Sequence, residues 1–159
     1  IMVCDDESVY GYQYGYERIR TPFFVASGKS PQIRTVKLKK GTRRQLVYRW
    51  RTPVPLHVNG LVLAGDTLFM AGPPEVDITG AREVLNAVTT DAYDPPPALR
   101  DASDTFLGRK GGFLVALSKM DGKKLLETKL DVIPVFDGLI AANGCLYLSS
   151  QAGSILCFR

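Results

Sequence analysis

The segment Asn59–Gly72, NGLVLAGDTLFMAG, recurs as DGLIAANGCLYLSS at Asp137–Ser150, 78 residues later. A second pair, GFLVAL at Gly112–Leu117 and GSILCF at Gly153–Phe158, repeats at an offset of 41. The difference is material inserted inside the earlier copy. Without it the period is about 41 residues, and each unit holds short apolar runs separated by turn residues. Such a period with four strands per unit is the mark of a β-propeller blade. The inner runs, LVLA and LIAA, are continuously apolar, as strands buried on both faces must be. The outer run, KKLLETKL, is charged, as suits a sheet edge.

The expected fold is therefore all-β: a partial β-propeller of about two to three four-stranded antiparallel blades, one with a long loop and short-helix insertion. Strands of a blade are named A to D from the axis outward. Residues 1–52 form a partial blade with B at 1–4, C at 9–12, D at 46–50 and a long basic C–D loop. Residues 53–130 form a complete blade, with A at 58–64, B at 67–71, C at 113–118, D at 124–130 and the insertion 73–111. Residues 131–159 form a partial blade with A at 138–142, B at 146–149, C at 155–158 and no outer strand. Asn143-Gly144 is a favoured hairpin turn because both residues tolerate positive φ. Within the insertion, Ala81, Val84, Leu85 and Val88 share one face of a short helix, with Asp77 or Thr79 as its cap. The acidic run after Asp94-Pro95-Pro96-Pro97 reads as loop. A ring needs about 4–8 blades, so the chain is expected to be the C-terminal piece of a larger propeller. Its missing outer strand would come from the far N-terminus.

Little in the sequence carries chemistry. Its three cysteines are Cys4, Cys145 and Cys157, without a CxxC, and His57 is its one histidine. That is too few ligands, wrongly spaced, for a structural zinc site. Cys145 and Cys157 read as small buried hydrophobes, with a disulfide between them as the alternative. His57 has no recognisable nucleophile partner and reads as a packed or solvent-tipped histidine rather than a base. Asp91, Asp94, Asp101 and Asp104 offer oxygens for Ca²⁺, but at a spacing that matches no known loop. No residue is assigned as catalytic, cofactor-binding or metal-binding. Tyr10, Tyr12, Tyr14 and Tyr16 alternate as on one face of a strand, for packing or for stacking a carbohydrate. No apolar run is long enough to span a membrane.

Net charge is +4, unevenly spread. Residues 16–51 are basic, with Glu17 the sole acid, and 75–104 are acidic. The basic segment 14–45 is a C–D connection and the acidic insertion 73–111 a B–C connection, so the two should project from opposite ends of the blades. Loops on a rigid frame are where binding concentrates. Nucleic acid is not the expected partner. Binding through 29–44 is a third reading, and it predicts an affinity that falls steeply with salt.

The stretches Asp121-Gly122-Lys123, Pro134-Val135-Phe136-Asp137-Gly138, Asn143-Gly144-Cys145-Leu146-Tyr147-Leu148 and Gly153-Ser154-Ile155-Leu156-Cys157 resemble the pyrroloquinoline-quinone-like repeat. That repeat belongs to the quinoprotein alcohol dehydrogenase-like propeller superfamily, and the resemblance is densest over 105–159. It implies a non-catalytic binding or scaffold module whose partners are the missing blades and a protein or small-molecule ligand. The alternative is the C-terminal part of a quinoprotein-type dehydrogenase whose active residues lie elsewhere. Pyrroloquinoline quinone and calcium would belong only to that alternative. Family members of this kind place the cofactor on a Trp beside adjacent cysteines, whereas Trp50 falls on an outer strand here. The family also implies an exported location.

Overall fold

A computed structural model describes residues 1–13, 23–28, 32–76 and 97–159. The fold is all-β with one described helix, and its strands form several small antiparallel sheets. Sheet 1 has the order β1 (Met2–Cys4), β2 (Ser8–Gln13), β3 (Phe23–Gly28) and β6 (Trp50–Pro53). Sheet 2 runs β7 (Gly60–Ala64), β8 (Thr67–Gly72), β9 (Gly112–Ser118) and β10 (Lys124–Leu130). Sheet 3 holds β11 (Pro134–Ala142), β12 (Cys145–Ser150) and β13 (Ile155–Phe158). A two-stranded ribbon, β4 (Ile33–Lys37) and β5 (Thr42–Leu46), stands between β3 and β6 in the chain. The strand β7 lies against both β1 and β11, so the first strands of the three sheets are neighbours. This is a partial, propeller-like array, and the described strands do not close into a ring.

Period-2 alternation explains the stacking. Along β7, β8 and β9, Leu61, Leu63, Leu68, Met70, Phe113, Val115 and Leu117 turn toward sheet 1. They pack with Tyr10, Tyr12, Trp50, Ile1 and Val3. The intervening Val62, Phe69, Ala71 and Leu114 turn the other way and pack on Leu139, Leu146, Leu148, Leu156 and Phe158 of sheet 3. Sheet 2 is thus covered on both faces, and each of its fully buried leucines contributes about 1.5–3 kcal/mol. Leu68 and Leu148 are both fully buried, one in each of these two cores.

Sheet 1 differs from its expected layout. Phe23–Gly28, read as part of a long loop, is the third strand, paired with β2 and β6. With it the sheet has four strands, and Met2–Cys4 takes the innermost place rather than the second. The outer strand is Trp50–Pro53, not 46–50, because Leu46 ends the ribbon strand β5. The apolar run FFVAS is short and framed by Pro22 and a basic stretch, which hid it. The turn Asn143-Gly144 has both residues at positive φ, 53° and 73°, the twist that a two-residue hairpin needs.

Within the insertion, the residues expected to be helical, Ala81 to Val88, lie outside the described residues. The described helix is α1, Pro97–Phe106, in a stretch expected to be loop. Proline suits a first helical position. The fully buried residues of α1 are Ala102 and Thr105, with Leu99 half-buried beside them.

Candidate functional site

Strands alternate in direction, so the connections 54–59 and 73–111 meet at one end of the array. The segment 55–59 runs antiparallel to 71–75. His57 N–H donates to the Pro73 carbonyl at 2.9 Å, Asn59 N–H to Ala71 at 2.9 Å and Glu75 N–H to Pro55 at 3.0 Å. This holds the His57 ring between two others. The Tyr12 ring meets it edge-on at 6.1 Å, and the Phe106 ring does so at 5.8 Å. The Tyr12 hydroxyl donates to the Leu56 carbonyl at 2.9 Å, fixing that side of the cluster. Burial lowers the His57 pKa from its ordinary value, so the ring favours the neutral form. Tyr10 is buried on the same face of β2 as Tyr12, while Tyr14 and Tyr16 lie outside the described residues.

Helix α1 closes the rim of this end. The Thr105 hydroxyl donates back to the Asp101 carbonyl at 2.8 Å, and Phe106 and Leu107 are exposed. The loop after the helix folds its cations back. Arg109 Nη1 meets Asp104 Oδ1 at 2.6 Å, and Lys110 pairs with Asp101. Of the four aspartates considered for Ca²⁺, Asp91 and Asp94 lie outside the described residues. The other two pair with these cations. Among the described residues no three His, Cys, Asp or Glu side chains converge as metal ligands. Beside the helix lies a cleft of about 580 Å³ lined by Pro74, Glu75, Val76, Pro97, Asp101, Thr105 and Lys110.

The opposite end is tied by charge and by one indole. Lys119 Nζ reaches Asp66 at 3.0 Å and Asp5 at 3.6 Å, joining turns of sheets 1 and 2. Amide donors from Glu7 and Ser8 hold the Asp5 carboxyl below its usual range. Trp50 Nε1–H donates to the Lys119 carbonyl at 3.0 Å, and the Thr52 hydroxyl donates to the Gly122 carbonyl at 2.7 Å. Gly122 has φ 71°, and a Cβ there would lie 2.4 Å from Trp50 Cε3. The indole is therefore seated against a turn that accepts glycine alone.

Between sheets 2 and 3 lies an apolar cleft of about 620 Å³, lined by Phe69, Leu114, Leu126, Ala141, Leu146 and Phe158 among others. It opens beside β13, whose outer edge pairs with no other strand among the described residues. The face of sheet 3 turned away from sheet 2 carries Ile140, Cys145, Tyr147, Ile155 and Cys157. Ile140 and Ile155 are 59% and 73% exposed there. Both cysteines are free thiols, Cys145 half-buried and Cys157 exposed, which corrects the expectation that they are buried hydrophobes. They flank Tyr147, and the Cys145 thiol is the main cause that raises the Tyr147 hydroxyl above its usual range. Sequence reasoning did not find the His57 cluster, because its three rings come from β2, a strand connection and α1. No family model and no curated protein matches the chain.

Proposed function

We propose that the chain is a non-catalytic binding or scaffold module built on a β-propeller frame of the pyrroloquinoline-quinone-like repeat kind. The observation that carries this reading is the Trp50–Gly122 seat. It locks the outer strand of one sheet onto the turn before the outer strand of the next, so the sheets are coupled as a rigid series. Two-sided burial of sheet 2 supports the same arrangement. In this reading the free apolar face of sheet 3 packs against a further sheet of the same type. The helix-bearing end, with α1 and the 580 Å³ cleft, is where a protein or small-molecule ligand would be held, since loops on a rigid frame carry function.

The test is a titration of the intact protein, with whatever blades accompany this chain, with pyrroloquinoline quinone and Ca²⁺, followed by absorbance. The scaffold reading expects no saturable change. Saturable, Ca²⁺-dependent binding would overturn it in favour of a quinoprotein-type dehydrogenase. The packing part is tested separately by thiol labelling of the native assembly. Cys157 is expected to be protected until unfolding, and labelling at the rate of a free thiol would remove that part alone.

A further inference from the structure

The ribbon β4–β5 belongs to none of the three stacked sheets. Its strands pair with each other, from Ile33 opposite Leu46 to Lys37 opposite Thr42, and with no other strand among the described residues. Lys39 and Lys40 occupy its tip, where Leu38 N–H donates to the Gly41 carbonyl at 2.9 Å. Arg34, Lys37, Lys39, Lys40 and Arg44 are all exposed. The sequence contains no acidic residue between Glu17 and Asp66, so nothing near in the chain neutralises them. The ribbon's exit is anchored, because Trp50 is fixed to Lys119 and Arg49 lies 3.7 Å from Glu7. Its cations are also distributed in a particular way. Lys37 and Arg44 share one face by register, Arg34 occupies the other, and two lysines crown the tip.

From this placement we infer that the β4–β5 ribbon is a binding arm for duplex nucleic acid, gripping phosphates without reading sequence. A planar anionic surface meets one face of a ribbon, or its tip. A groove has phosphates on both walls, and a two-stranded antiparallel ribbon fits the roughly 12 Å major groove. The arm's length suits this, since a five-residue strand spans about 17 Å. Arg and Lys neutralise phosphates and release counterions, which gives affinity independent of sequence. The arm leaves the array from the end opposite α1. It would therefore tether the module while leaving the helix-bearing end free, and the inference does not depend on the scaffold reading.

The experiment is fluorescence anisotropy of the full chain with a labelled duplex of about 20 base pairs, over about 50 to 200 mM salt. The expected result is a Kd of about 1–100 µM at physiological salt. The logarithmic salt slope should be about −4 to −5 for five engaged cations. Replacing Arg34, Lys37, Lys39, Lys40 and Arg44 with Ser should abolish most binding and flatten the slope, with the thermal midpoint unchanged. Absence of binding at about 50 mM salt, or binding retained by the folded variant, would overturn the inference. So would tighter binding to phosphatidylserine-containing vesicles than to the duplex, which would assign the arm to a membrane surface instead.

Discussion

At the scale of single residues, the seat formed by Trp50 and Gly122 is a demanding contact between two sheets. Trp50→Ala removes a packed indole and its bond to Lys119, and should cost about 3–5 kcal/mol. Gly122→Ala places a Cβ against the same ring at positive φ and should cost at least about 2 kcal/mol. The two residues touch, so a double-mutant cycle by urea denaturation should show costs well short of additive. Additive costs would mean the indole does not rest on that turn. His57 sets a pH dependence. Burial depresses its pKa in the folded state, so the unfolded chain binds the proton more readily. The stability that comes from burying the neutral ring is complete above about pH 6.5. It is lost as pH falls through the lower folded-state pKa. As the single histidine of the chain, its ring protons can be followed by NMR. The titration should centre below the ordinary histidine value, and a normal or raised midpoint would refute the buried cluster with Tyr12 and Phe106.

At the scale of elements, the two faces of sheet 3 should respond oppositely to substitution. Leu148→Ala leaves a cavity in a filled core and should lower stability by about 2–5 kcal/mol. Ile155→Ser on the free face should change it by less than about 0.5 kcal/mol in the chain alone. Thermal denaturation of the two variants checks this, and equal losses would mean the free face is covered. The elements that the sequence disclosed are those with strong alternation and clear turns: β7–β10 and β11–β13. In these the expected strands and the observed ones differ by a few residues at their ends. Each hidden element has its own physical cause. Helix α1 begins directly after Pro95-Pro96, a run that reads as a loop, and this masked the i, i+3, i+7 spacing of Leu99, Ala102 and Phe106. Strand β3 lies between basic segments, and its pairing with β2 and β6 depends on contacts distant in sequence. The ribbon strand β5 was hidden because TRRQL has almost no apolar content. The site was less legible than the fold. Its three rings come from separate elements brought together by the packing of the chain, which no local pattern reports.

At the scale of the whole molecule, the account rests on a series of sheets in which the middle one is sandwiched and the ribbon stands apart. Coupling through Trp50 and through the Lys119 ion pairs makes sheets 1 and 2 one mechanical unit. The apolar faces between sheets 2 and 3 extend that unit by hydrophobic contact. Hydrogen exchange measures this directly, because amides in the most cooperative core exchange only through global opening. The account expects the slowest exchange in β7, β8 and β9, with the β4–β5 ribbon and the edge strand β13 exchanging far sooner. Ribbon amides as protected as those of β8, or fast exchange in β8, would contradict it.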